Sequence, residues 1–164
     1  WFYFFHELTS IGIKNIVTHM AVKNKKAFFS YDIKETLEAG IVLKGCEVKS
    51  IRNGHITIHE SYIGIRDGEV YLVHCNILPY AQGNRENPPQ NRDRKLLLHQ
   101  RQIKKLIANI EQKGMNAVPI KVYFKDQRVK VEIGVGKPKK NIDKRRSIKD
   151  RELNRQLQRG SKQR

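Results

Sequence analysis

Odd positions from Phe29 to Leu43 read Phe, Tyr, Ile, Glu, Leu, Ala, Ile and Leu, and the even positions between them are mostly polar or small. Successive side chains of an extended chain point to opposite faces, so this period of two predicts one long strand. The alternation stops at Gly45 to Arg52, where Glu47, Val48 and Ile51 precede Asn53-Gly54. That segment reads as a short helix or turn closed by a glycine. Tyr62 to Arg66 and Glu69 to His74 flank Asp67-Gly68, a dipeptide that accepts the positive φ angles of a type I′ turn and marks a hairpin. Asn76 to Tyr80 predicts a further short strand, with Pro79 tolerated at an edge or an end.

Residues 81 to 94 are polar, with one Gly and two Pro, and read as a long, exposed, basic loop. Beyond it Leu96, His99, Ile103, Leu106, Ile107 and Ile110 recur at steps of three and four, and Gly114 follows. This pattern predicts an amphipathic helix. Ala117 to Phe124 and Arg128 to Val135 form a second hairpin around Lys125-Asp126-Gln127, with Lys121, Lys130 and Glu132 on one exposed face. Two hairpins, further strands and a packing helix predict a mainly β fold, a small, partly open oligonucleotide-binding barrel.

A length of 164 residues, 38% of them hydrophobic, suits one domain with some excess at its ends. The excess has two parts. Residues 1–19 open on the apolar Trp1 to Phe5, but Glu7 and Lys14 interrupt the stretch and no cleavage site closes it. It is a poor signal peptide, and too short for the ~20 apolar residues of a membrane span. Met20 precedes Ala21-Val-Lys-Asn-Lys-Lys26, a short basic arm, so residues 1–19 read as a misassigned upstream extension, with an ordered aromatic extension docked on the core as the rival reading, and residues 20–136 as the barrel. Residues 137–164 carry 12 basic and 3 acidic residues with few large apolar ones. This tail cannot pack a core and is expected to order only on a polyanion.

The whole chain carries a formal charge of +17 and a pI near 10.1. Such a field selects polyanions. An anionic membrane would call for a basic helix with a bulky apolar face, which no segment supplies. Cys46 and Cys75 form no CxxC pattern, so neither a zinc cluster nor a disulfide framework is implied, and a reducing, cytoplasmic setting fits.

Catalytic constellations are weak. His55 and His59 lack a third ligand at a recognisable spacing, and the alternating Ile residues around them read as strand. Gly134-Val-Gly136-Lys137 lacks the spacer, the second Gly and the Ser or Thr of a triphosphate loop. Ser50, Ser61 and the cysteines have no evident base nearby in the sequence. A nuclease would need clustered carboxylates for a metal ion, and Asp32, Glu35 and Glu38 show only ordinary strand spacing. Basic residues mixed with aromatics suit RNA better, since cations neutralise phosphates while exposed rings stack bases. Lys23, Lys25, Lys26, Phe28 and Phe29 form one such cluster; Arg92, Arg94 and Lys95 form a purely basic one.

Several strings, in order and spacing, resemble the SmpB family of transfer-messenger RNA partners: Glu35-Thr-Leu-Glu-Ala-Gly40, Gly45-Cys-Glu-Val-Lys-Ser50, Asp67-Gly-Glu69, Arg94-Lys-Leu-Leu-Leu-His99, Tyr123-Phe-Lys125 and Asp143-Lys-Arg145. The likeness runs from about Asn24 into the tail. It implies a six-stranded antiparallel oligonucleotide-binding barrel with packing helices. It also implies a monomer that grips the transfer-RNA-like part of transfer-messenger RNA and enters stalled ribosomes, its tail lying as a helix in the empty messenger channel below the decoding centre. No catalysis, cofactor, metal, membrane or small-molecule substrate is implied.

By position, Asn24, Glu38, Leu97 and Lys130 match family positions implicated in RNA binding, and Lys139, Lys140, Asp143, Lys144 and Arg145 match the start of the ribosome-binding tail. Three positions depart from the family pattern. Ile142 stands where an aromatic is common, Phe29 where His is frequent, and Pro138 replaces a Gly, stiffening the hinge before the tail. The rival reading is a generic single-strand RNA- or DNA-binding barrel associated with ribosomes.

Overall fold

A computed structural model describes residues 21–83 and 87–140, together with the single positions Ile148 and Glu152. In chain order the elements are β1 (Ala21–Lys23), α1 (Lys25–Ser30), β2 (Tyr31–Ile41), α2 (Gly45–Arg52), β3 (Ile56–Thr57), β4 (Tyr62–Arg66), β5 (Glu69–Val73), β6 (Asn76–Ile77), β7 (Arg94–Leu97), α3 (Gln100–Lys113), β8 (Asn116–Lys125) and β9 (Arg128–Pro138). Seven strands form one antiparallel sheet in the order β1-β8-β9-β2-β7-β5-β4, and β3 pairs with β6 in a two-stranded ribbon. The mainly β, antiparallel expectation holds, with the three helices α1 to α3 among the described residues. β4, at one edge of the sheet, packs against β8, one strand in from the other edge. The sheet therefore curls over its apolar face, where Leu72, Leu96, Val131, Ile133 and Val135 are buried with Leu106 of α3.

Both predicted hairpins form. Asp67 and Gly68 take φ of 53° and 73°, and Asp126 and Gln127 take 48° and 64°, so each hairpin closes through two left-handed residues, the second without a glycine. The long strand begins two residues later than the alternation implied, because Phe29 and Ser30 belong to α1. The Asn24 side chain accepts the Ala27 N–H at 3.1 Å and buries Ala27, turning the chain into a helix before β2 starts.

The loop and helix after residue 80 need correction. The helix starts at Gln100, where Gln102 Oε1 accepts the His99 N–H at 2.9 Å, and Leu96 is not on it. Arg94 to Leu97 pair between β2 and β5 as β7, with Arg94 and Leu96 pointing inward and Lys95 and Leu97 outward. Arg94 is thus the end of the basic loop only in sequence. In space it is fully buried. No helix among the described residues is long and apolar enough to cross a membrane.

Candidate nucleic-acid interface

One cross-strand row on the outer face of the sheet joins four strands: Tyr123 lies opposite Lys130, Lys130 opposite Gly40, and Gly40 opposite Leu97. Glu38 stands two residues from Gly40 on β2, on the same side of the pleat. The row thus brings together Glu38, Leu97 and Lys130, three of the four positions singled out from the sequence. Because residue 40 has no side chain, a notch opens between Leu97 and Lys130. A Cβ at Gly40 would sit 3.2 Å from Leu97 Cβ.

The notch belongs to an open cavity of about 390 Å³ lined by Ile41, Leu43, Val48, Leu97, Arg128 and Lys130 among others. Leu97 is 54% exposed, an unusual state for a leucine in the middle of a sheet. An apolar floor with two cations on its rim suits a splayed base lying flat with its phosphates on the rim.

Glu38 anchors the polar side of this face. The Tyr123 hydroxyl donates to its carboxylate, Lys125 Nζ lies 3.4 Å from both its oxygens, and Lys130 Nζ lies 3.6 Å away. The Tyr123 hydrogen bond, with the two lysines and against a smaller opposing effect of desolvation, lowers the Glu38 carboxyl below the ordinary glutamate value. Burial, then the Glu38 carboxylate, pushes the Tyr123 hydroxyl up to about 12, so the phenol stays protonated as a donor. Lys121 Nζ sits 4.6 Å from the centre of the Tyr123 ring. The carboxylate therefore holds two lysines and a tyrosine in place on a face that would otherwise repel itself. Tyr123 was singled out only within a family string; its partnership with Glu38 depends on the register of β8, β9 and β2.

Asn24 lies away from this row. It is 2% exposed, and besides capping α1 its Nδ2 donates to Ile58 O at 3.0 Å and Pro119 O at 3.1 Å. Around it, Lys25, Lys26 and Phe28 on α1 are exposed, so that mixed basic and aromatic cluster does face solvent. Lys139 follows β9 and reaches back to α1, and Lys140 is exposed. Asp143, Lys144, Arg145 and Ile142 lie outside the described residues.

The purely basic cluster is dissolved by the structure. Glu47 of α2, 3% exposed, accepts Arg94 Nε at 2.9 Å and Arg92 Nε at 3.0 Å, while Arg94 also donates to the carbonyls of Cys75, Arg92 and Gln90. Arg94 is a structural strut for the loop. Only Lys95 of the three turns outward, and it pairs with Glu69.

Two serines weighed as nucleophiles hold backbone carbonyls. Ser50 Oγ donates to Leu78 O at 2.6 Å and Ser61 Oγ to His74 O at 3.1 Å. Burial pushes the Cys75 thiol up to about 11, away from the reactive thiolate. Gly134 to Lys137 is part of β9 and not a phosphate-cradling turn. No cluster of three or more His, Cys, Asp or Glu placed to hold a metal occurs among the described residues.

Comparison with known proteins shows what the chain is similar to. The family model described as SmpB protein matches residues 21–163. The SsrA-binding protein of Acetivibrio thermocellus is 49% identical over 144 residues, 88% of this chain and 94% of that protein. That of Geobacillus kaustophilus is 49% identical over 142 residues, covering 87% and 92%, and that of Listeria monocytogenes is 47% identical over 145 residues, covering 88% and 94%. A solved chain from work on tmRNA-SmpB at the center of the bacterial ribosome superposes with a TM-score of 0.63 at 42% identity, over 75% of this chain and 87% of that one. With a family model covering most of its length and relatives near half identity across nearly all of theirs, the chain belongs to the SmpB protein family.

Proposed function

We propose that this protein binds SsrA RNA, the transfer-messenger RNA, through the outer face around Glu38, Leu97 and Lys130, and carries it to stalled ribosomes for trans-translation. It acts in the cytoplasm as a monomeric RNA-placing protein and catalyses no reaction. The observation that carries the reading is the meeting of those three side chains, drawn from β2, β7 and β9, beside one cavity with an apolar floor and a cationic rim. Lys130 contacts phosphate, Leu97 packs on a splayed base, and Glu38 sets the lysines and accepts from a 2′-hydroxyl. Asn24 contributes by fixing α1 and the strand ends around it. The curled sheet is an oligonucleotide-binding barrel in this reading, supported by the packing of β4 on β8. Lys137 and Pro138 close β9, and the residues beyond them form the ribosome-directed tail, in which Lys140, Asp143, Lys144 and Arg145 meet ribosomal RNA.

The test is a competition binding assay at near-physiological salt, comparing the transfer-RNA-like domain of SsrA RNA with an unrelated structured RNA of equal length. A preference above roughly a thousandfold, about 4 kcal/mol, is expected. Equal affinity would reduce the protein to a basic barrel that binds RNA by charge, the rival reading.

A further inference from the structure

The last strand and the first helix meet where the tail begins. β9 ends at Pro138, which lies opposite Tyr31, the first residue of β2. One residue on, the Lys139 backbone N–H donates to Ser30 O at 2.9 Å and its ammonium donates to Phe28 O at 3.0 Å. Ser30 and Phe28 belong to the last turn of α1, where helix carbonyls have no partner within the helix. At the other end of α1, Asn24 supplies the cap and two bonds into the core. A six-residue helix does not hold itself in water. This one is fastened at its start by Asn24 and at its end by Lys139.

We propose that Lys139 is a positioning residue: it fastens the root of the basic tail to α1, so that the tail leaves the body in a fixed direction, and it is not one of the tail's phosphate-contacting cations. Its backbone N–H and its ammonium each donate to a carbonyl of α1, and Pro138 beside it fixes φ and removes a competing N–H. The root lies at the opposite end of β2 from the proposed RNA-binding row, roughly 30 Å away for the nine residue steps from Tyr31 to Gly40. Tail direction is therefore set independently of the grip on SsrA RNA. The inference rests on the proposed function, since a tail that does not enter the ribosome needs no direction.

The experiment uses the full chain with Lys139→Met, which keeps the apolar stem, and Lys139→Arg, which keeps a donor. Melting temperature, affinity for SsrA RNA, the salt dependence of binding to stalled ribosomes, and the tagging rate at saturating complex are measured for each. Lys139→Met is expected to melt within a few degrees of the parent and to bind SsrA RNA within about twofold of it. Its slope of log affinity against log salt should be unchanged while the maximal tagging rate falls by at least about tenfold, the effect of one lost charged hydrogen bond. Lys139→Arg should restore most of that rate. A slope smaller by about 0.7 to 0.9, with tagging restored at saturation, would make Lys139 a phosphate contact and overturn the proposal. An unchanged tagging rate would overturn it too. Failure of the unmodified protein to prefer SsrA RNA would instead count against the functional reading on which this one rests.

Discussion

Replacing Glu47 with Ala should be among the most damaging single changes in the body of this protein. Its carboxylate accepts from Arg92 Nε at 3.0 Å, from Arg94 Nε at 2.9 Å and from the Lys44 backbone N–H at 2.7 Å, all at 3% exposure. Removal leaves the Arg94 guanidinium buried with its charge uncompensated and strips the cap from α2. Breaking a buried pair from one side costs about 3–5 kcal/mol. At roughly 4 °C per kcal/mol for a body of this size, the melting temperature should fall by about 12–20 °C.

Desolvation pushes the Glu47 carboxyl up, but the bonds from Arg92 and Lys44 and the charge of Arg94 together outweigh it, so the group titrates below 4.5. Its contribution is present above that value and is lost as pH falls through the lower folded pKa. Stability of the parent should thus drop on acidification below pH 4.5, and Glu47→Gln should drop less over the same range. Urea denaturation across a pH series, with the double variant Glu47→Leu and Arg94→Met alongside, decides the matter. The double variant should cost less than either single change, because it removes both charges together. A loss under about 1 kcal/mol for Glu47→Ala, or a double variant equal to the sum of the singles, would refute the reasoning.

Three further outcomes are expected. Lys130→Met should lower the salt slope of SsrA RNA binding by about one and weaken binding to other RNAs alike, whereas Leu97→Ala should leave the slope unchanged and lose about tenfold in affinity by filter binding or calorimetry. Asn24→Ala removes a cap and two buried donors and should cost about 3 kcal/mol in chemical denaturation. Since the Cys75 thiol is held near 11, above its free value of 9.0, it should resist iodoacetamide in the folded protein at pH 8 and react on unfolding, followed by mass spectrometry; folded stability should decline as pH rises from 9 towards 11.

Local chemistry made the hairpins legible. Asp67-Gly68 and the alternation on either side of Asp126-Gln127 need no distant partner to declare a turn. α1 was not legible, because its cap, Asn24, holds its place through carbonyls at Ile58 and Pro119 that only the folded chain brings near. Arg94 was misread for a related reason. Its charge and its neighbours in the polar loop suggested solvent, yet its parity with Leu96 on a strand points inward, and its compensation comes from Glu47, 47 residues earlier. The run Leu96-Leu-Leu98 has neither helical nor strand period, so the start of the helix was ambiguous. At the candidate site, Glu38, Leu97 and Lys130 came from family resemblance. Their gathering in one row, and Tyr123 as the partner of Glu38, depend on registers between strands far apart in sequence.

The pairing of β2 with β9 also fixes when the face between them can form. Glu38 and Lys130 are 92 residues apart, and their strands can join only after everything between them has been synthesised. Closing so long a stretch of chain is an entropically costly, slow step in folding. A growing copy, with β2 made and β9 still to come, therefore has the carboxylate without its lysine and lacks one wall of the notch. The face that carries Glu38, Leu97 and Lys130 is therefore a late product of folding, complete only once β9 has docked on β2.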